Sequence, residues 1–217
     1  MFKLKSLLLS IVIIINFLIP AHSQILGTFS EFVPGDKLTY SVKAEGKTVE
    51  YIFTFTEVNS AQSKGIASIA GKTMEFQSPA HGILAREFSL AGGFFETEWN
   101  PPVKIFDKNS KIGDRWQIIT DIEVKDMANV REELESKVEK YEKIKIAAGE
   151  FDALRVYTTG SIKSKLKANS VTYPGSLTMT TWFGMANNRL VMLKREYKNT
   201  FWNVFSQELA KLPELGN

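Results

Sequence analysis

Few residues of this chain could do chemistry, and their spacing argues against most of it. One histidine, His81 in "SPAHGI", follows the N-terminal leader, and a catalytic base needs a nucleophile and an orienting partner beside it. The sequence has no G-x-S-x-G elbow and no cysteine, so it offers neither a serine-hydrolase turn nor a thiolate, and no His/Cys set has metal-ligand spacing. "DKNSKIGD" opens like a calcium loop with Asp107 and Asn109. It then places Lys111 at a ligand position, Ile112 where glycine is required and Ile118 where the closing glutamate belongs. The acids of "VREELESKVEKYEKI", Val130 to Ile144, alternate with lysines and read as a solvated face rather than paired carboxylates. Lys194, Arg195 and Glu196 could bind an anion, but they read more simply as an exposed strand end with one charge pair worth little. The expectation is a protein that is not an enzyme, with no catalytic residue, no metal site and no cofactor.

What positions these residues begins after a leader. "MFKLK" carries two lysines, "SLLLSIVIIINFLI" is apolar throughout, and Ala21 and Ser23 stand where a signal peptidase reads small residues. The apolar run suits a signal core better than the ~18 or more residues of a spanning helix. Cleavage after Ser23 then leaves 24–217, a periplasmic or secreted chain starting at Gln24, with no transmembrane segment after processing. Without Lys3 and Lys5, 25 basic residues face 24 acids, a net charge of about +1, and nucleic acid, which needs a basic face, is excluded as a partner. With no cysteine to be lipidated or bridged, the fold must be held by its core.

The mature chain reads with period two nearly throughout. "KLTYSVKA" alternates Leu38, Tyr40, Val42 and Ala44 with polar residues. After the Glu45-Gly46 turn, "TVEYIFTFTEV" puts Val49, Tyr51, Phe53 and Phe55 on one face, which makes the clearest hairpin in the chain. Two strands around Gly71-Lys72 and two around Gly92-Gly93 follow, Pro101-Pro102 interrupts the ladder, and later runs complete roughly ten strands. One stretch is ambiguous. Val130, Leu134, Val138 and Tyr141 recur at helical intervals among good helix formers, while alternation through Leu134 and Val138 to Ile144 and Ile146 leads directly into "AAGEFDALRV". A Gly-Asp turn followed by a basic and then a large apolar residue occurs twice, in "VPGDKLTY" and "KIGDRWQI". That echo raises two related halves meeting near 101–111 as an alternative to one undivided domain.

Gly113-Asp114-Arg115-Trp116, "AAGEFDALRV" and "TTWFGMANNRLVMLKRE", in that order, resemble the TapB-like exported bacterial domains of unknown function. Ala147 stands where their hairpin carries proline, and "ANNRL" replaces their usual proline and glycine turn. The resemblance covers about the second half of the mature chain. It implies an all-β exported domain, an antiparallel sheet strongly curved or curled into a partly open barrel, and no known activity. It also favours strand over helix from Glu135 to Ile146, with a hairpin turn at Ala147 to Glu150.

Two functions follow from such a sheet. The first is non-covalent binding of an apolar or amphipathic partner, a lipid, an acyl chain or a lipoprotein, with Tyr51, Phe53, Phe55 and Trp182 as wall candidates. The second is an envelope scaffold whose core is filled and whose face or edge binds another envelope protein.

Overall fold

The structure, a computed structural model, describes residues 30–60, 62–78, 83–89, 95–201 and 204–216. The leader, His81 and the Gly92-Gly93 turn lie outside the described residues. The first six strands are β1 (Lys37–Ala44), β2 (Lys47–Val58), β3 (Ser63–Ile69), β4 (Lys72–Ser78), β5 (Ile83–Ser89) and β6 (Phe95–Lys104). The next six are β7 (Arg115–Val124), β8 (Ala128–Ile146), β9 (Gly149–Leu166), β10 (Thr172–Ala186), β11 (Arg189–Asn199) and β12 (Phe205–Leu209). Each strand pairs antiparallel with its sequence neighbours, and β12 pairs with β1, so the sheet closes into a twelve-stranded up-and-down barrel. Closure satisfies the backbone donors and acceptors that an open edge would expose. The wall is thinnest between β4 and β5, which pair only at Gln77 and Arg86. The β6–β7 ladder ends at Asn100 opposite Asp121, one residue before the two prolines, which have no N–H to donate.

Alternation decides the faces. On β7 and β8 the inward residues Ile118, Ile122, Val124, Ala128, Leu134 and Val138 are buried, while most of the intervening positions carry charge. These outward charges pair across strands: Arg115 with Glu135, Arg131 with Asp121 at 2.8 Å and Lys167 with Glu123 at 2.8 Å. An apolar inside and a charged outside reverse the polarity of a membrane-spanning barrel. The ambiguous stretch is strand throughout, because extended backbone lets Ala128 to Lys137 pair with both β7 and β9. That tertiary gain overrides a local helix preference of a few tenths of a kcal/mol per residue.

β8 and β9, at 19 and 18 residues, are the longest strands and span roughly 60 Å at about 3.3 Å per residue. A bulge between Val138 and Lys140 shifts their register. Beyond it the tip residues Ile144, Ile146, Ala148 and Phe151 pack with Trp182, Leu193 and Leu209, and the Ala148 N–H donates to the Leu209 carbonyl at 3.2 Å. The turn itself is Ala147-Ala148, closed by the Ile146–Gly149 pair. Gly149 holds φ at +139°, and a Cβ there would lie 3.6 Å from the Phe151 ring, an ordinary contact. Backbone conformation alone therefore penalises a side chain. Gly149→Val is expected to lower stability by about 1–2 kcal/mol, read as a lower urea midpoint; an unchanged midpoint would show that the turn relaxes freely.

The two Gly-Asp turns share one geometry. The Val33 N–H donates to Asp36 Oδ2 at 3.0 Å and the Lys111 N–H to Asp114 Oδ2 at 2.8 Å. Phe55 and Val138 on the following strands donate to the Asp36 and Asp114 carbonyls at 3.0 and 2.9 Å. The first turn also anchors both ends of the described chain. Asp36, fully buried, accepts from Arg189 Nε at 2.7 Å and from the Gly216 N–H at 2.7 Å. Burial alone would raise the Asp36 pKa, and these bonds to its charged form hold it below the usual carboxylate range.

Candidate functional site

Inward-facing side chains do not fill the barrel. They leave two chambers. One, of about 120 Å³, lies among β5 to β12 and is walled by aliphatic residues such as Ile118, Ile122, Leu134, Ile162 and Leu177, with Trp99, Phe201 and Phe205. The other, of about 160 Å³, lies against β1 to β4 and β10 to β12, where Leu38, Phe53, Phe55, Phe76 and Phe183 form its wall. The aromatic side of this second chamber is rigid because its rings hold one another. Phe32 stacks on Phe55 at 4.2 Å between ring centres, and Phe76 meets Phe53 edge-on at 5.3 Å.

The chambers meet at a buried ion pair. Glu87 on β5 lines both, and Arg195 on β11, which lines the first, approaches it at 3.5 Å. β5 and β11 stand six places apart in the ring of twelve, so this pair bridges opposite walls. Tyr40, Tyr51 and Gln207, all nearly fully buried, surround it. The Phe88 N–H donates to the Tyr51 hydroxyl at 3.2 Å, and burial raises the phenol pKa of both tyrosines, with Arg195 opposing. Burial likewise raises the Glu87 carboxyl, against the attraction of Arg195. Among the described residues Arg195 Nε and Gln207 Oε1 are buried without a hydrogen-bond partner, one donor and one acceptor at the junction of the two chambers.

A second carboxylate, Glu132 on β8, faces the first chamber without a counter-ion among the described residues. It lies opposite Thr120 on β7 and Ile162 on β9, neither of which carries charge. Burial pushes its pKa up to about 7. Its charge helps to raise the neighbouring Tyr197 phenol, for which burial is the larger cause, and that hydroxyl accepts from Asn199 Nδ2 at 2.9 Å. Glu87, Glu132 and Arg195 are the charged residues lining the two chambers.

Of the residues expected to form a wall, Phe53 and Phe55 line the second chamber. Tyr51 belongs to the polar junction behind it. Trp182 lies on the other face of β10: it opposes Arg155 and Lys194, while its neighbour Thr181 opposes Arg195 and Val156. Its indole N–H donates to Glu142 at 2.9 Å, and the Lys194 ammonium sits 5.1 Å from the ring centre. The expected exposed triplet on β11 is divided between faces. Lys194 and Glu196 pair outside at 2.6 Å, and Arg195 turns into the lumen. The alternation Leu193, Arg195, Tyr197 carried that signal. The former calcium-loop acids serve as turn caps, with Asp107 accepting from the Asn109 N–H at 2.9 Å and from Lys104 at 3.0 Å. Among the described residues no group of three or more His, Cys, Asp or Glu could hold a metal ion.

Fold and lumen together define an up-and-down β-barrel with a divided, mostly apolar interior. The chain matches no family model and no curated protein. Some solved structures align with it at low identity. A predicted lipoprotein of Parabacteroides distasonis aligns with a TM-score of 0.49 and 14% identity over 88% of this chain and 98% of its own. A predicted exported protein with a YmcC-like fold from Bacteroides fragilis aligns with a TM-score of 0.48 and 12% identity over 85% and 98%. The hypothetical lipoprotein YmcC of Escherichia coli gives a TM-score of 0.41 and 11% identity over 82% and 85%.

Proposed function

We propose that this protein holds an apolar or amphipathic molecule, a lipid, an acyl chain or the lipid part of a lipoprotein, non-covalently in its lumen and turns nothing over. In this reading it works outside the cytoplasm as a TapB-like exported domain, after cleavage behind Ser23. The observation that carries the proposal is the pair of chambers, of about 120 and 160 Å³, in a barrel whose inward positions hold enough large side chains to build a filled core. For scale, an engineered apolar cavity of about 150 Å³ takes up benzene. Each methylene removed from water contributes about 0.8 kcal/mol, so an apolar chain needs no reactive group to be held.

The test is native purification, solvent extraction with mass spectrometry of the extract, and titration with an environment-sensitive dye. A co-purifying lipid or saturable dye binding is expected. Val130→Phe, which places a ring in the first chamber, should weaken dye binding at least tenfold while leaving the melting transition cooperative. An empty extract, no dye binding and no effect of Val130→Phe would replace this reading with the envelope scaffold.

A further inference from the structure

The first chamber is mostly apolar and aromatic, with the Glu87–Arg195 pair at its junction with the second and Glu132 standing apart from that pair. Glu132 projects from the middle of β8 into a wall of Ile118, Ile122, Leu134, Ile162 and Leu177, with no cation beside it among the described residues. Arg195, the one cation lining the chambers among the described residues, is already engaged by Glu87 at 3.5 Å. With both acids ionised the chamber linings therefore carry one uncompensated negative charge. A buried carboxylate without a partner is costly and is expected to be neutralised by a proton or by a bound cation. The remaining walls suit the second outcome, since Trp99 and Phe201 add aromatic rings of the kind that attract ammonium groups, beside the mutually stacked Tyr197 and Phe205. We propose that this chamber takes a small organic cation, an amine whose ammonium lies against the Glu132 carboxylate and whose apolar body fills the space among the β7 to β10 side chains.

This inference deepens the lumen-binding reading and rests on it. It assigns the ligand a positive head, where an empty apolar cavity alone would accept any neutral body of the right size. It also has a pH signature with a definite sign. Glu132, with a pKa of about 7, is mostly protonated at pH 6 and mostly ionised at pH 8. Of the groups sharing its chamber, the Arg195 guanidinium and the Tyr197 phenol, held high by burial, keep their charge states across that interval, and Glu87, raised by burial against the pull of Arg195, is told apart from Glu132 by the Glu132→Gln variant. Affinity for an amine should therefore rise about tenfold from pH 6 to pH 8, and affinity for a neutral analogue should stay level.

The experiment measures binding of benzylamine, benzyl alcohol and benzoate to the full-length mature protein by calorimetry at pH 6 and pH 8, repeated with Glu132→Gln. The expected result is that benzylamine binds at least tenfold tighter than benzyl alcohol at pH 8, and that both this preference and its pH dependence vanish in the variant. If the amine and the alcohol bind equally, or the preference survives Glu132→Gln, the cation assignment is overturned while the lumen-binding reading stands. Tightest binding of benzoate would make Arg195 the anchor and overturn it as well. If none of the three binds while larger apolar dyes do, the assignment also fails; if no dye binds either, the lumen-binding reading falls with it.

Discussion

Arg195→Met is expected to destabilise the protein by about 3–5 kcal/mol at pH 8, the cost of stripping one partner from a buried ion pair. Glu87 would remain enclosed on the opposite wall, 3.5 Å from where the guanidinium stood, with no second cation lining either chamber among the described residues. Burial already raises the Glu87 pKa and Arg195 holds it down, so losing Arg195 raises it further. The sign follows: a carboxyl whose folded pKa exceeds its unfolded one costs stability above that unfolded value, and the penalty disappears once acid protonates it in both states. The destabilisation should therefore shrink between pH 8 and pH 5. Glu87→Leu combined with Arg195→Met removes both charges and should recover most of the loss, because an apolar pair of similar volume avoids desolvating either ion. Urea titrations at both pH values decide it. A loss under about 1 kcal/mol for Arg195→Met at pH 8, or a double variant no better than the single, would show that the pair does not tie the two walls together.

Glu132→Gln is expected to do the opposite and stabilise the protein at high pH. The folded carboxyl titrates near 7 where an unhindered glutamate titrates at 4.5. Below pH 4.5 the group is protonated in both states and contributes no difference. Between 4.5 and 7 the unfolded state releases its proton first, and wild-type stability falls by about 1.4 kcal/mol per pH unit. Above 7 the penalty is constant, on the order of 3 kcal/mol. Glutamine, of nearly the same shape and without the charge, removes it. The stability curves of wild type and variant should converge near pH 4.5 and separate by pH 8; parallel curves would mean that Glu132 reaches solvent in the folded protein.

Both predictions turn on residues whose importance the linear pattern conceals, and β8 shows why. Val130, Leu134 and Val138 recur every four residues, a spacing that a helix face and the even positions of a strand satisfy equally. The readings part at Glu132 and Ser136. A helix turns both away from the apolar stripe, whereas a strand points both inward with the valines and leucine. In the barrel Ser136 finds Thr158 on β9 at 2.8 Å, and Glu132 finds no such partner. On β11, "KRE" reads as a solvated charge run until the pairing of Arg195 with Gln207 and Thr181 places it inside.

By itself the sequence determined the all-β class, most strands and the apolar face of the first hairpin, because alternation, glycine turns and β-branched or aromatic runs are local and act through each residue's own backbone. It also determined that Gly149 closes a hairpin and that Gly-Asp opens β1 and β7, since positive φ and side-chain capping need only a few neighbouring residues. Tertiary structure alone decided that β12 returns to β1, that the aromatic Trp182 is buried on the face of β10 away from the chambers while the charged Arg195 faces into them, and that Glu87 meets Arg195 across the lumen. Those outcomes depend on register and on which strand stands opposite which in the closed ring. A one-residue shift reverses every face, and the ion pair joins residues 87 and 195 only because closure brings β5 and β11 to opposite walls.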